Sequence, residues 1–332
     1  MTVGGRIRAI LRILIQTIMK HIFVVNTYAG KATAREQITE MLKTFEAEYE
    51  IFFTSAPGDA TSFVKNRCEN DSSGDTLRFY ACGGDGTVKE VVCGLVGYRN
   101  VELTVVPLGS GNDFVKYYGG SEAFLDLNKL KDAPSDYIDL IKVNGEYCIN
   151  VCNFGFESYV AKTMHEVRHK KLIGGKFAYT TGIVKALIFA MKNKADIYVD
   201  GEKIIDGNYL LCTVANGRFV GGGYMCAPKS FDNDGLLEVC AVKVVSRLFI
   251  VRLINVYKAG KHLDDERFAN IVVYRRGKKI EVRSPSEITI SLDGELVTTN
   301  NFVCEVVPSA IKFAALAMSV GESADTAEVL AF

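Results

Sequence analysis

The sequence predicts an α/β fold in two parts: a doubly wound parallel sheet, then an antiparallel, β-rich part. Up to about residue 107, short apolar runs alternate with helical stretches through brief polar connections, the rhythm of parallel strands crossed over by helices. From about Tyr137 the signals become those of hairpins: Asn144-Gly145, Asp200-Gly201, Arg276-Gly277 and Asp293-Gly294, each flanked by β-branched or aromatic residues. A third observation places a site. The stretch Cys82-Gly83-Gly84-Asp85-Gly86-Thr87 follows a strand and opens a helix, so close backbone approach and the positive end of a helix dipole converge on one turn.

Residues 1–18 admit three readings. They form an extension ahead of a start at Met19-Lys20-His21-Ile22, a basic amphipathic helix at a membrane interface with Ile7, Ile10, Leu11, Leu14, Ile15 and Ile18 on one face, or an ordinary docked helix. The stretch is too short and too charged to span a bilayer and lacks a signal-peptide cleavage site. Strands are then expected at 22–26, 49–54, 77–81 and 101–106, with helices at 33–48, 59–68 and 87–96. The polar turns after these strands gather at one edge of the sheet, where doubly wound folds bind ligands. In the second part, helices are expected at 155–167, 177–191 and 247–257. The tail after Val320 is polar and loose.

The chain has 332 residues, 48% hydrophobic and 23% charged, within the range of a globular protein. Its formal net charge is zero, so no overall field draws it to nucleic acid or anionic lipid. Any such attraction is local, and the basic run Arg168-His169-Lys170-Lys171 to Lys176, beside the apolar helix 177–191, is the candidate for anionic headgroups. The nine cysteines form no CxxC pair and read as buried apolar residues of a reducing compartment. The four histidines show no metal-ligand spacing.

An acidic residue inside a phosphate-type turn, Asp85, points to Mg²⁺ held against a nucleotide rather than to a bare anion cradle. Pro107-Leu108-Gly109-Ser110-Gly111-Asn112-Asp113-Phe114 also follows a strand and joins the same sheet edge. Asp232-Asn233-Asp234-Gly235-Leu236 and Leu292-Asp293-Gly294-Glu295 read locally as turns, the latter with a carboxylate able to accept a proton.

These motifs, with Asn26–Gly30 and Thr54 and in this order, resemble the diacylglycerol kinase catalytic-domain family, more narrowly its soluble bacterial lipid kinases, relatives of sphingosine and ceramide kinases. The resemblance runs from about residue 20 to residue 308. The Gly-Gly-Asp-Gly-Thr element alone is shared with NAD kinases and 6-phosphofructokinases; Gly-Ser-Gly-Asn-Asp-Phe is what favours lipid kinases. It implies an NAD kinase-like, nucleotide-binding α/β domain at 19–133, a β-sandwich lipid-substrate domain at 134–310, a C-terminal segment and loose tail at 311–332, and an active site in the cleft between the domains.

The resemblance further implies ATP and Mg²⁺. Asn26 and Gly30 would line the nucleotide and Thr54 its phosphates. Gly83, Gly84, Asp85, Gly86, Thr87, Val88 and Lys89 would form the phosphate loop, with Ser110 and Asn112 as further contacts. Asp85 would organise the catalytic Mg²⁺ through water. Asp234, with backbone carbonyls near Phe231 and Leu236, would hold a second, structural Mg²⁺, and which carboxylate of 232–234 ligates it stays open. Asp293 would be the general base with Glu295 beside it, and the choice between those two stays open. Three positions depart from the family pattern: Asn26-Thr27 replaces Asn-Pro, Ser110 replaces threonine, and the metal turn reads Asp-Asn-Asp-Gly. The expected activity is transfer of the γ-phosphate of ATP to a lipid hydroxyl, diacylglycerol to phosphatidic acid first, in the cytoplasm with transient peripheral contact at the inner membrane face. A sphingosine-like or polyprenol acceptor, an NAD kinase-like enzyme and a non-catalytic nucleotide- or lipid-binding regulator are the alternatives. No nucleic-acid partner is expected, and a homodimer stays open.

Overall fold

The structure, a computed structural model, describes residues 18–167 and 177–316. The expectations for residues 1–17, for the basic run 168–176 and for the tail after Val320 lie outside them.

Four parallel strands open the chain: β1 (Met19–Asn26), β2 (Tyr49–Thr54), β3 (Thr76–Gly83) and β4 (Val101–Pro107), ordered β2-β1-β3-β4. Helices α1 (Ala34–Leu42), α2 (Asp59–Glu69) and α3 (Asp85–Leu95) connect them. Ile22, Phe23, Val24 and Val25 are all fully buried, as a parallel strand covered on both faces requires. The helix expected at 33–48 stops at Leu42. Phe45 packs edge-on against His21 and Phe23, 5.4 Å between centroids in each case, and Asn128 binds the backbone on either side of it, donating to Thr44 O (2.7 Å) and accepting from Glu46 N–H (2.9 Å).

After a short helix α4 (Leu127–Lys131), the antiparallel part is built from β5 (Ser135–Val143), β6 (Glu146–Cys148), β7 (Val151–Gly155), β8 (Asp196–Val199), β9 (Glu202–Ile205), β10 (Leu211–Ala215), β11 (Leu237–Val242), β12 (Val272–Gly277), β13 (Lys279–Leu292) and β14 (Glu295–Ala314). Helices α5 (Phe156–Val167), α6 (Ala178–Phe189) and α7 (Arg247–Lys258) are inserted between strands. The long β13–β14 hairpin makes this a sandwich. The first half of β13 pairs with β8 and its end pairs with β7, and the register shifts between Arg283 and Ile288, around Pro285. β14 pairs first with β13, then with β5, and finally lies parallel to β4 through Lys312 and Phe313. Each strand therefore changes layer at an irregularity, as corners of packed sheets do. β14 runs through the boundary expected at residue 310 and ends as a strand of the first sheet.

The core between the layers holds Cys148, Cys152, Cys212 and Cys304 beside Phe154, Val214, Ile280 and Phe302. All nine cysteines are free. Three expected hairpins are present, with Asn144-Gly145, Asp200-Gly201 and Asp293-Gly294 all at positive φ. Arg276-Gly277 is not a hairpin: β12 pairs with β11, and at Gly277 the chain crosses to the other layer against the Val199 side chain, which leaves no room for a Cβ.

Asp139 of β5 pins this junction. Its carboxylate accepts Gly235 N–H (2.7 Å) and Ser309 N–H (2.8 Å), the second at the corner of β14, where Ser309 has φ +49°. Asp139→Ala leaves two amides unpaired, and a loss of about 2–4 kcal/mol is expected. Urea titration at neutral pH measures it.

Candidate active site

The loops after β3 and β4 are laced together. Gly83 O accepts Leu108 N–H (2.9 Å) and Gly109 N–H (3.1 Å). Gly84 and Gly109 meet backbone to backbone, and a Cβ on Gly109 would collide with the Gly84 Cα, so only glycine fits. Helix α3 starts at Asp85 with Gly84 as its N-cap, and no side chain caps it. Its first-turn amides and the positive end of its dipole thus face the cleft.

The turn after β1 joins the same rim. Asn26 Nδ2 donates to Thr87 Oγ1 (3.0 Å) and Asn26 Oδ1 accepts Tyr28 N–H (3.0 Å), so the amide shapes a turn that lacks proline. Thr27 donates to Thr54 O (3.1 Å), and Gly30 lies under Leu108 O. Asn26, Gly30, Thr54, Gly83, Gly84, Asp85, Gly86 and Thr87 are therefore gathered, with Ser110 exposed on the lip. Val88 turns into the core. Asn112, at φ +49°, donates to Gly109 O (2.9 Å) and holds its own loop.

Two carboxylates dominate the cleft, Asp85 half-buried and Asp293 buried. Asp85 Oδ1 accepts Asp113 N–H (2.8 Å) and Phe114 N–H (3.5 Å). Its Oδ2 points past Gly111, where a Cβ would come within 2.7 Å. Burial, reinforced by the Asp113 charge, raises the Asp85 pKa to about 6 against the two amides and Lys116. Asp113 links the domains: it accepts Lys116 Nζ (2.5 Å) and Gly222 N–H (2.9 Å), the latter in the turn between Phe219–Val220 and Tyr224–Met225.

Asp293 stands at the tip of β13–β14 with φ +51°. Its Oδ2 accepts Ile149 N–H (2.7 Å), and its Oδ1 accepts Asn150 N–H (3.1 Å) and Val151 N–H (2.9 Å). Burial nevertheless pushes its pKa up to about 7, and the Asp85 charge adds to the rise. Asp85 and Asp293 line the same cavity of about 420 Å³.

The other expected residues lie elsewhere. Lys89, one turn beyond Asp85, is buried and pairs with Glu295 and with Glu146 (3.3 Å) rather than joining the rim. Glu295 is outside the cavity. In the turn at 231–236, Asp234 accepts Leu236 N–H (3.0 Å) and pairs with Arg276, while Phe231 lies under the Arg218 guanidinium (5.2 Å). A cation held by Asp234 and the backbone carbonyls near Phe231 and Leu236 would have to displace the Arg276 guanidinium from that carboxylate.

What the sequence did not disclose is the rest of the cavity. It runs from the two carboxylates between α5, α6 and α7, against Phe156, Val160, Met164, Ile183, Ile250 and Ile254. These residues read as ordinary helix stripes, and no local signal marks them as a pocket.

Two family models match the chain: the diacylglycerol kinase catalytic domain over residues 20–143, and the YegS C-terminal NAD kinase beta sandwich-like domain over residues 150–315, half of the chain. The chain is 28% identical to a diacylglycerol kinase of Bacillus subtilis over 281 residues, covering 82% of this chain and 88% of that one. It is 30% identical to a probable YegS-like lipid kinase of Shewanella frigidimarina over 237 residues, covering 70% and 74%. The fold is similar to that of a diacylglycerol kinase of Bacillus anthracis, with TM-score 0.64, 23% identity and coverage of 89% and 96%.

The raised Asp85 pKa has a stability consequence. The unfolded carboxyl ionises near 3.8 and the folded one near 6, so the folded state loses stability as pH rises between these values and stays penalised above them. Asp85→Asn keeps an acceptor for the Asp113 amide and removes the charge. In metal-free buffer the variant is expected to match the wild type near pH 4 and exceed it by ~1–3 kcal/mol above pH 7. Thermal melts across that range measure the difference.

Proposed function

Because the chain belongs to the diacylglycerol kinase and YegS family of lipid kinases, we propose that it transfers the γ-phosphate of ATP to the hydroxyl of an acylglycerol-type lipid, with diacylglycerol as the reference acceptor. The observation that carries this reading is one cavity that reaches the glycine loops at Asp85, Ser110 and Gly111, holds the Asp85 and Asp293 carboxylates at that end, and runs between three apolar helices at the other.

The amides of Gly84–Thr87 and the Gly109–Gly111 loop would hold the phosphates, with Asn26 and Thr54 along the nucleotide. The donor set fits Mg²⁺ at Asp85, whose Oδ2 is left open to the cavity by Gly111; Mg²⁺ supplies charge neutralisation on the phosphates when bound. Asp293 takes the proton from the lipid hydroxyl as its oxygen attacks the γ-phosphorus and ADP departs. Three amides fix the position of this carboxylate, and a pKa of about 7 suits a general base at neutral pH. Glu295 is held by Lys89 and acts on position only.

Assay of the protein with ATP, Mg²⁺ and diacylglycerol in mixed micelles tests the reading, with NAD⁺, sphingosine and polyprenol as competing acceptors. Asp293→Asn is expected to lower kcat/KM for the lipid by about 10²–10⁴-fold with the fold retained by circular dichroism. Wild-type kcat/KM rises through pH 6–7, because the base works ionised. Phosphate appearing on NAD⁺, or on no acceptor, defeats the proposal.

A lipid acceptor has to be reached at a membrane, and no helix of the described residues is long and apolar enough to cross one. The reading is supported by a band of exposed apolar residues on the helices that wall the cavity: Val184, Ile188 and Phe189 on α6, and Leu248 and Val251 on α7. Arg247 joins the two helices, donating to Leu187 O (2.6 Å). We take this band, together with the basic run 168–176, as a transient peripheral contact made from the cytoplasm. The double variant Phe189→Asp, Leu248→Asp is expected to reduce sedimentation with phosphatidylglycerol vesicles by tenfold or more at unchanged melting temperature. Undiminished sedimentation rules the contact out.

A further inference from the structure

The apolar cavity has one polar wall. Ser291 of β13, Asn153 of β7 and Thr213 of β10 are register partners, so their side chains share one face of the sheet. The neighbouring row, Leu292, Cys152 and Val214, faces the sandwich core instead. The polar row is almost fully buried: Ser291 is 2% exposed, Asn153 3% and Thr213 0%. Glu157, in the first turn of α5, lies over it. Glu157 Oε2 accepts the Thr213 hydroxyl and Oε1 the Tyr257 hydroxyl, each at 2.8 Å.

Two features of this wall are unresolved by the protein itself. Asn153 lines the cavity, and its Oδ1 has no hydrogen-bond partner. Glu157 has two donors for roughly four lone-pair sites, in surroundings that raise its pKa by burial against both hydroxyls. A pocket meant only for acyl chains gains nothing from a half-buried carboxylate and an unpaired amide, since each costs free energy that a leucine would not. Strands lie about 4.8 Å apart, so Thr213 is roughly 10 Å from β13. Ser291 is two residues before Asp293. The wall therefore begins beside the reacting end of the cavity and extends over the length of a small head group.

We propose that Asn153 and Glu157 form a head-group subsite selecting acceptors that carry a hydrogen-bond donor, a free hydroxyl or an amine, beside the hydroxyl that receives the phosphate. This rests on the lipid kinase reading and ranks acceptors within it: the ester beside the hydroxyl of diacylglycerol offers these two residues no donor, so diacylglycerol is accepted without this contact and less efficiently than an acceptor with a free hydroxyl or amine there.

The test compares 1-acylglycerol with 1-acyl-2-O-methylglycerol of the same chain length, in which a methyl group replaces the proton of the neighbouring oxygen; a purely steric preference would survive the near-isosteric Glu157→Gln change. The wild type is expected to favour the free hydroxyl by roughly 10–100-fold in kcat/KM. Glu157→Gln and Asn153→Ala are each expected to lower that ratio by fivefold or more, and the pair to bring it near unity. The ratio is an internal control for loss of folded protein, because misfolding lowers both rates alike. A wild-type ratio within twofold of unity, or variants that leave it unchanged, overturns the subsite while the kinase reading stands. Phosphorylation of neither glyceride nor of diacylglycerol overturns both.

Discussion

The three amide hydrogen bonds that close on the Asp293 carboxylate set the geometry on which the rest depends. Residues 149–151 are buried and lead into β7, and the carboxylate at the tip of β13–β14 accepts all three of their N–H groups. The same bonds fix the hairpin tip and hence the pairing of Ile290–Leu292 with β7. Because β14 continues from that tip to β4, they also fix how the sandwich meets the parallel sheet. Asn216 backs the loop, donating from its side chain to Ile149 O and Asp139 O at 2.9 Å each. The cleft is thus framed by backbone on both sides.

That frame concentrates negative charge. Asp85, Asp113 and Asp293 are brought together with little water, and burial raises the pKa of both Asp85 and Asp293. The nearby buried cation, Lys89, is drawn away by Glu295 and Glu146, and Lys116 is taken by Asp113 and Gly111 O. Asp113 thus has a cation beside it, whereas Asp85 and Asp293 pair with none among the described residues; such carboxylates destabilise a fold, and the strain is retained where it serves a ligand. On the proposed reading, such a site would gain from a metal-bound polyphosphate and from a hydroxyl proton, the two things a phosphoryl transfer would bring to it.

The parallel sheet and its glycine loop could be read from the sequence because both are local signals: apolar runs of strand length, and glycines at strand-to-helix turns. Asp85 was marked for the same reason. Lys89 was not placed correctly by its nearness to that loop, because four helical residues carry a side chain a full turn away, here toward Glu295 of another domain. Asp234 likewise stood in a plausible turn, but its partner Arg276 comes from a strand some forty residues later, and nothing local announces that pair. The cavity was least visible of all. Its walls come from α5, α6, α7 and three strands, and each contributes residues of the kind any core contains.

If the polar wall selects the acceptor as proposed, acceptor choice and core stability are separable in this fold. β7 and β10 alternate strictly, with Cys152, Phe154, Cys212 and Val214 toward the sandwich core, and Asn153 and Thr213 toward the cavity. A strand's period of two means that no substitution on the cavity face removes packing from the core face, so the wall is free to vary with the acceptor. The reverse does not hold. A one-residue slip of β7 would move Asn153 into the core and Cys152 into the cavity, and it would also pull residues 149–151 off Asp293. The Asp293 carboxylate therefore holds the register that decides which face of β7 meets the cavity, and on the proposed reading chemistry and selectivity are tied together by the same three amides.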